Sequence, residues 1–412
     1  MLYYGLLLVF LLEYVRPVRY ISFLYPLHLN SVIPVVVSLF SLKNSKSIEN
    51  IDFLKLSNTK IILVFLFLIG AGILWADVKH YVFWKFIQVL GWFLIYFAII
   101  KNVDGKKGLE GIFIVLALCH LILLILTPDV LLHPEIRTYI SQESFLGDGN
   151  DYSLSLNIVI PFCIYLYLSS ESKSMKLLFL LLTLLFILAV VGTSSRGGSV
   201  ALAAVIFYQW LKGRNKWVGL ASMAILLFIV LLFAPPLYLE RMGTIRDYEM
   251  EGSAQGRIMA WKSAIRMAAD HPLTGVGAGH FPVKYGIEYR PPGVGRTEIP
   301  WANAHSLYFL VLGELGIPGL LVYLGLIVPN LWRNEKIIRS LKSRGASDSH
   351  HSDRRLFVCL NSSMIGFAVG GAFLSATYYP HVFVLAGVME AGRHAYLRRQ
   401  KNDANVLSPA IP

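Results

Sequence analysis

Arg196 stands in a polar hinge between two apolar stretches of the sequence, and its surroundings suit phosphate binding. The hinge, residues 193–198, reads Thr-Ser-Ser-Arg-Gly-Gly. A helix that begins here would direct backbone N–H groups at a ligand, its Ser or Thr side chains could cap it, and the guanidinium could bind phosphate through two prongs. The two glycines would let that ligand approach the backbone. The alternative is an arginine that extends from a helix end to the lipid interface.

Arg257 follows Gly256 near the start of a stretch, up to about Asp270, that has helical periodicity. On a helical wheel Arg257 falls on the apolar side, opposite a charged side. The charged side consists of Lys262, Arg266 and Asp270, and the apolar side includes Trp261, Ala264 and Ala268. We expect a helix on the membrane surface, with Arg257 directed at the protein or the lipid interface, where it needs an anionic partner. A salt bridge to Glu249 or Glu251 would satisfy it without any catalytic role.

His305 lies at the start of a long apolar run that extends to residue 330. A helix that begins here would place the imidazole in its first turn. The helix dipole disfavours a charged ring at that position, so the neutral ring could accept a proton. The alternative is a capping or packing histidine.

Other candidate sites in the sequence are weaker. Three alternating glycines in residues 275–279 resemble a dinucleotide-binding loop, but no strand precedes them and no βαβ unit surrounds them. They instead predict tight turns that fold a loop back over the helices. His350 and His351 have no partner at ligand spacing, and the three cysteines each lie within an apolar run. We therefore expect neither a metal ion nor another cofactor.

Transmembrane helices are the elements that must position these residues. Of the 412 residues, 56% are apolar and 15% are charged, whereas about 25% are charged in an ordinary soluble protein. Apolar runs of about 20 residues recur, the length that a helix needs to cross a bilayer, and the alternating segments of a β-barrel do not. The sequence predicts an all-α, polytopic membrane protein with about twelve helices. We expect them at about residues 2–15, 20–42, 61–76, 81–100, 111–127, 153–171, 175–192, 197–211, 216–237, 304–330, 356–377 and 379–396.

The loops between these helices differ in charge, which predicts their sides of the membrane. One set of alternate loops, with the C-terminal tail, carries 23 Lys and Arg residues, whereas the short loops of the other set carry five. Because basic residues near helix ends resist translocation, the first set marks the cytoplasmic side. Both termini are then cytoplasmic, and residues 238–303 form one large periplasmic loop with short helices. The net charge of +12 is spread over short loops, which argues against a nucleic-acid partner.

At these residues the chain resembles the O-antigen ligase and polymerase family of bacterial envelope glycosyltransferases. The likeness is strongest over residues 190–325, a ligase-like core within a single membrane domain of residues 1–412. It rests on the order and spacing of short motifs. These are Ser195-Arg196-Gly197, Gly256-Arg257 with Trp261, Pro272-Leu-Thr-Gly-Val-Gly277, Ala304-His-Ser-Leu-Tyr308 and Gly313-Glu-Leu-Gly-Ile-Pro-Gly319, with a polar Gly149-Asn150-Asp151 motif at an outer helix start. Residues 241–245, together with Tyr308-Phe309 and Leu312-Gly313-Glu314, are similar to those of exosortase-associated O-glycosylation ligases.

The resemblance implies that a glycan is moved from an undecaprenyl-diphosphate carrier to an acceptor hydroxyl at the periplasmic face of the inner membrane. The acceptor would be the lipid A core, a protein or another glycan, and the partners would otherwise be membrane lipids. Carried onto this sequence, Arg196 and Arg257 would bind the diphosphate and His305 would activate the acceptor. The reaction would invert the anomeric carbon and need no metal ion, in keeping with the absence of a clear Asp-x-Asp pair.

Two other functions fit parts of the pattern. A polymerase of the same family would use another lipid-linked repeat unit as the acceptor, and nothing in the sequence separates it from a ligase. A lipid-linked glycan flippase or transporter should show related halves and ionisable residues near the bilayer midplane. The candidate residues gather instead at one predicted face of the membrane, which favours the transferase.

Overall fold

A computed structural model describes residues 1–43, 52–133, 139–140, 144–213, 215–233, 252–290, 302–343 and 348–407. In these ranges the chain is mainly helical, and its only strand-like feature is an isolated bridge between Tyr139 and Asp148. The prediction of an all-α protein is therefore confirmed for the described part of the chain.

The helices of the described residues are numbered in chain order. They are α1 (Leu2–Val15), α2 (Leu29–Lys43), α3 (Ser57–Ala71), α4 (Lys79–Asn102), α5 (Gly105–Leu126), α6 (Asp129–Leu132), α7 (Gly149–Ser169), α8 (Lys173–Gly192), α9 (Arg196–Lys212), α10 (Lys216–Phe233), α11 (Gly252–Asp270), α12 (Phe281–Ile287), α13 (Leu307–Ser343), α14 (Asp348–Gly371) and α15 (His381–Leu407).

Seven helical segments among the described residues are long and apolar enough to cross a membrane. They are Phe23–Leu42, Ser57–Leu74, Lys79–Asn102, Gly105–Leu126, Gly149–Ser169, Lys173–Gly192 and Leu307–Lys342. Shorter apolar helices occur at Leu2–Val15 and Lys216–Ile225. The chain is thus an integral membrane protein. The count of about twelve spans, the large periplasmic loop and the sidedness of the termini stay predictions.

The predicted span 304–330 has different bounds in the structure. The helix α13 begins at Leu307, continues to Ser343, and is broken at Gly316, where φ is 67° and ψ is −165°. That left-handed conformation suits glycine, because a Cβ there would crowd the backbone. The sequence did not predict this break, because the hydrophobicity of a run indicates burial in lipid or protein but not the direction of the backbone.

α7 packs closely against α9 and α14 at positions with little or no side chain. A Cβ on Gly198 of α9 would overlap Ser153, and one on Gly366 of α14 would overlap the carbonyl group of Asn157. The amide of Asn157 donates to the Gly198 carbonyl oxygen at 3.0 Å. Small residues let membrane helices approach closely enough for such bonds. This packing fixes where α9 starts relative to α7.

A buried polar group joins α3, α13 and α15, and we call it the Arg393 cluster. It consists of Asn58, Asn330, Asn334, Glu390 and Arg393, all of them buried. The guanidinium of Arg393 donates to Glu390 at 2.6 Å, to Asn330 at 2.7 Å and to Asn334 at 3.0 Å. Asn58 donates to Glu390 at 2.9 Å. Each charge therefore has an opposite charge or an amide beside it.

Candidate active site

Arg196 is the first residue of α9 and is half-buried. The hydroxyl of Ser195 caps the helix by accepting from the backbone N–H of Gly198 at 3.1 Å. The preceding residue, Ser194, has a left-handed φ of 51°, which turns the chain out of α8 and into α9. The predicted helix start with a serine cap is confirmed.

The two glycines after Arg196 fill a different role from the one the sequence suggested. A Cβ on Gly197 would overlap Phe373, and one on Gly198 would overlap Ser153. Protein side chains thus occupy the space beside these glycines in which we expected a ligand. The glycines let α9 start against its neighbours, and any ligand at this helix start must approach from another direction.

The helix α11 packs against α13, and its charged side is exposed as predicted. Gly313 of α13 allows this contact, because Ala264 and Met267 lie within 3.5 Å of the point where its Cβ would stand. On the opposite side of α11 the apolar residues Ala260, Ala264, Met267 and Ala268 are buried, together with Ser263, and Trp261 is half-buried. The apolar side of α11 therefore faces protein, and the location of the helix at the membrane surface stays a prediction.

Arg257 is half-buried and lies one helical turn before Trp261, so the two share a side of α11. The indole N–H of Trp261 donates to the carbonyl oxygen of Ala304 at 2.9 Å. Its ring stacks on Phe309 with centroids 5.1 Å apart and an angle of 16°. The side of α11 that carries Arg257 therefore adjoins the segment that carries His305. Glu249 and Glu251, the alternative salt-bridge partners predicted for Arg257, lie outside the described residues.

His305 lies two residues before the first residue of α13, not in its first turn as the sequence predicted. Its φ is 47°, a left-handed value. Its backbone N–H donates to the hydroxyl of Ser375 at 2.8 Å. Ala304 and Ser306 on either side are buried, whereas His305 is exposed. The chain direction reverses locally before the helix, and this presents the imidazole at the surface.

The connection between α14 and α15, which we call the 372–380 turn, contacts several helix starts. Phe373 lies against Gly197, and Ser375 accepts from His305. Further along, Thr377 donates to the Leu307 carbonyl at 3.0 Å, Tyr378 donates to Glu314 at 2.6 Å, and Tyr379 donates to Asp151 at 2.9 Å. One short segment thus links the starts of α7, α9 and α13. None of the predicted site residues lies in this turn, although its Ser-Ala-Thr-Tyr-Tyr run is a polar stretch between two apolar ones.

The Gly149-Asn150-Asp151 motif forms the start of α7. Asp148 and Asp151 make a capping box, in which each side chain accepts from backbone N–H groups of the other's segment. A Cβ on Gly149 would stand 3.2 Å from Thr193 in the hinge before α9. The polar helix start that the sequence indicated is therefore present, and it adjoins the hinge that leads to Arg196.

The glycine-rich loop at residues 272–279 is bonded to the break in α13. The backbone N–H groups of Val276 and Gly277 donate to the carbonyl oxygens of Gly313 and Glu314 at 3.0 and 2.9 Å. Gly275, Gly277 and Gly279 all have left-handed φ values. The prediction of tight turns that fold the loop back is confirmed. The break at Gly316 leaves carbonyl groups that this loop can satisfy.

The carboxylate of Glu314 is buried among donors at the same place. It accepts from the backbone N–H of Phe281 at 2.9 Å and from the Tyr378 hydroxyl. The ammonium group of Lys85 lies over the Tyr378 ring, 5.2 Å from its centroid. Glu314 therefore holds together α12, α13 and the 372–380 turn, and its hydrogen bonds give it a structural role.

Salt bridges fix α12 to the loop before α4. The ammonium group of Lys284 contacts Asp77 at 2.7 Å and Glu288 at 2.6 Å. The hydrogen bond from Lys284, with its positive charge, lowers the pKa of Asp77. Burial lowers the pKa of Lys284, but its bonds to the two carboxylates outweigh burial and raise it.

The structure brings the three predicted residues to one end of the helix bundle. Arg196 precedes Gly197, which packs on Phe373, and His305 bonds to Ser375 two residues further along the same turn. Arg257 is on the same side of α11 as Trp261, whose indole bonds to Ala304, the residue before His305. Among the described residues, no group of three or more His, Cys, Asp and Glu side chains is arranged to hold a metal ion.

Comparison with known proteins gives one family match. Residues 180–324 match the family model described as O-antigen ligase. The matched region contains Arg196, Arg257 and His305, and it ends before the 372–380 turn. No curated protein sequence matches the chain. The match supports a ligase- or polymerase-like membrane enzyme.

Proposed function

We propose that this protein is an inverting, metal-independent glycosyltransferase of the O-antigen ligase type. It moves a glycan from an undecaprenyl-diphosphate carrier to an acceptor hydroxyl at the periplasmic face of the inner membrane. The observation that carries the proposal is the position of His305: exposed, within the matched region, and at the bundle end where α9 starts with Arg196 and α11 brings Arg257. This end of the bundle carries one imidazole that can accept a proton and two guanidinium groups that can bind a diphosphate.

The arginines serve the leaving group. When the bond between the anomeric carbon and the diphosphate oxygen breaks, its electron pair stays on that oxygen and the negative charge on the diphosphate grows. Two guanidinium groups stabilise such charge through paired N–H bonds. Arg196 also stands at the start of α9, where the helix dipole favours an anion.

His305 serves the acceptor. In its neutral form the imidazole can take the proton of the acceptor hydroxyl while the hydroxyl oxygen forms a bond to the anomeric carbon. General base catalysis of this kind contributes about 10²- to 10⁴-fold to a rate. The attack comes opposite to the leaving diphosphate, so the anomeric configuration inverts. Exposure of His305 gives the acceptor access to the ring.

A kinetic experiment separates these two roles. Purified protein in nanodiscs is supplied with a polyprenyl-diphosphate glycan, and donor affinity and single-turnover rate are measured together. His305→Ala should keep donor affinity and lose at least about a hundredfold in rate. Arg257→Lys should lose donor binding nearly as badly as Arg257→Ala, since an ammonium group cannot form the two-pronged contact.

Matched controls are His271→Ala and Arg339→Lys, at exposed positions, which should behave as wild type. Thermal melting checks the folding of every variant. A wild-type rate for His305→Ala, or full activity of Arg257→Lys, would show that these roles are wrong.

Metal independence has its own test. Because guanidinium groups stabilise the leaving diphosphate, transfer should continue unchanged in excess chelator. Loss of transfer in chelator, followed by recovery with Mg²⁺ or Mn²⁺, would contradict this use of the arginines.

The acceptor distinguishes a ligase from a polymerase, and a deletion strain reports it. A ligase supplies the whole transferred glycan, so its deletion should remove the complete ladder of glycan lengths from the cell envelope. If one repeat unit remains attached to the acceptor, the protein polymerises the glycan instead.

A further inference from the structure

The peptide group that links Ala304 to His305 is bonded by side chains at both of its polar atoms. Its carbonyl oxygen, on Ala304, accepts from the indole N–H of Trp261 at 2.9 Å. Its N–H, on His305, donates to the hydroxyl of Ser375 at 2.8 Å. The two side chains come from α11 and from the 372–380 turn, far apart in sequence. Neither bond belongs to regular secondary structure.

The backbone of His305 needs such support. Its φ of 47° is a left-handed conformation, which is strained for a residue with a Cβ. The helix cannot fix it, because the first hydrogen bond of α13 runs from Leu310 to the Ser306 carbonyl, beyond this peptide. Conformations of this kind persist only where the surroundings impose them. The two side-chain bonds hold the peptide in this conformation from both sides.

We propose that Trp261 and Ser375 are positioning residues that hold the 304–305 peptide and so fix the imidazole of His305 for its reaction with the acceptor. This inference rests on the proposed function. Trp261 also lies one turn from Arg257, so the same indole fixes the position of α11, and with it Arg257, relative to His305. Ser375 lies beyond the matched region of residues 180–324.

The stacking of Trp261 on Phe309 provides a way to isolate its hydrogen bond. Trp261→Phe keeps an aromatic ring at 5.1 Å from Phe309 but removes the indole N–H. Ser375→Ala removes the acceptor for the His305 N–H, whereas Ser375→Thr keeps a hydroxyl. These changes therefore test the bonds with little change in packing.

The experiment measures kcat, the acceptor KM and donor affinity for Trp261→Phe, Ser375→Ala and Ser375→Thr. A small misplacement of a catalytic group can cost far more rate than the loss of one hydrogen bond costs in stability. We expect kcat to fall about tenfold or more in the first two variants, with the acceptor KM and donor affinity unchanged. Ser375→Thr should recover most of the rate.

A double-mutant cycle with His305→Ala excludes a merely structural role. If the bonds act through the imidazole, Ser375→Ala and Trp261→Phe should cause no further loss once His305 is alanine. Matched controls are Ser41→Ala, a buried serine bonded to Asn102, and Trp332→Phe, an exposed tryptophan. Both controls should keep the wild-type rate.

Two results would overturn the inference: wild-type kcat in Ser375→Ala and Trp261→Phe, or the same loss of rate with and without His305. If Ser375→Ala does not fold, the Trp261→Phe cycle decides alone. A fully active His305→Ala would instead contradict the proposed function itself, so the two failures are distinguishable.

Discussion

The two ends of the helix bundle both contain arginine, but the surroundings of the guanidinium groups differ. In the Arg393 cluster, the guanidinium is buried and bonded to Glu390, Asn330 and Asn334. At the other end, His305 is exposed and Arg196 is half-buried. Asn330 lies 23 positions after Leu307 in α13, and the break at Gly316 falls between them.

The surroundings of an arginine indicate whether it has a structural or a functional role. Arg393 has its charge matched inside the protein, so a substrate has no room beside it and its role is structural. Arg196 and Arg257 stand where helix starts and a loop meet, with His305 exposed beside them. Three changes test this contrast, in order of decreasing effect.

Arg393→Leu should have the largest effect on stability. It leaves the Glu390 carboxylate buried without its guanidinium, and removing one partner of a buried pair costs about 3–5 kcal/mol. Denaturant unfolding in detergent measures the loss, and Arg393→Leu with Glu390→Leu should restore part of it. A loss below about 1 kcal/mol would show that the cluster is not structural.

His305→Gly should be more stable than His305→Ala by about 0.5–1 kcal/mol. Glycine relieves a left-handed strain of about 1–2 kcal/mol, and its extra freedom in the unfolded chain offsets about 0.4–1 kcal/mol of that gain. Both variants should lack transfer activity. Thermal melts of the two side by side measure the difference, and a less stable glycine variant would contradict the strain.

Asp77→Asn should have the smallest effect, at most about 1 kcal/mol at pH 7, because exposed salt bridges contribute little and the Asp77 side chain is 54% exposed. Lys284 lowers the pKa of Asp77 below its ordinary value of 3.8. The stabilisation is therefore present above that value and is lost as the pH falls through the lower, folded-state pKa. Unfolding of both proteins from pH 7 downward should show the difference shrinking below pH 3.8. A difference that is unchanged there would contradict the assignment.

Sequence reasoning found the features that depend on local pattern. The helix class, the serine cap before Arg196 and the exposed side of α11 follow from hydrophobicity and capping chemistry over a few residues. The break at Gly316 could not be read in this way, because the groups that satisfy it lie in the loop at 272–279. The bond between His305 and Ser375 joins residues 70 positions apart, and no local pattern carries that pairing.

The 372–380 turn bears on how the protein could be divided. Residues 180–324, the part that resembles other proteins, do not contain the partners of their own key groups: Ser375 holds His305, Thr377 holds Leu307 and Tyr378 holds Glu314. An excised fragment of those residues would lack all three bonds. We therefore expect that residues 180–324 do not fold on their own. A chimaera that exchanges these residues with those of a relative should exchange the 372–380 turn as well.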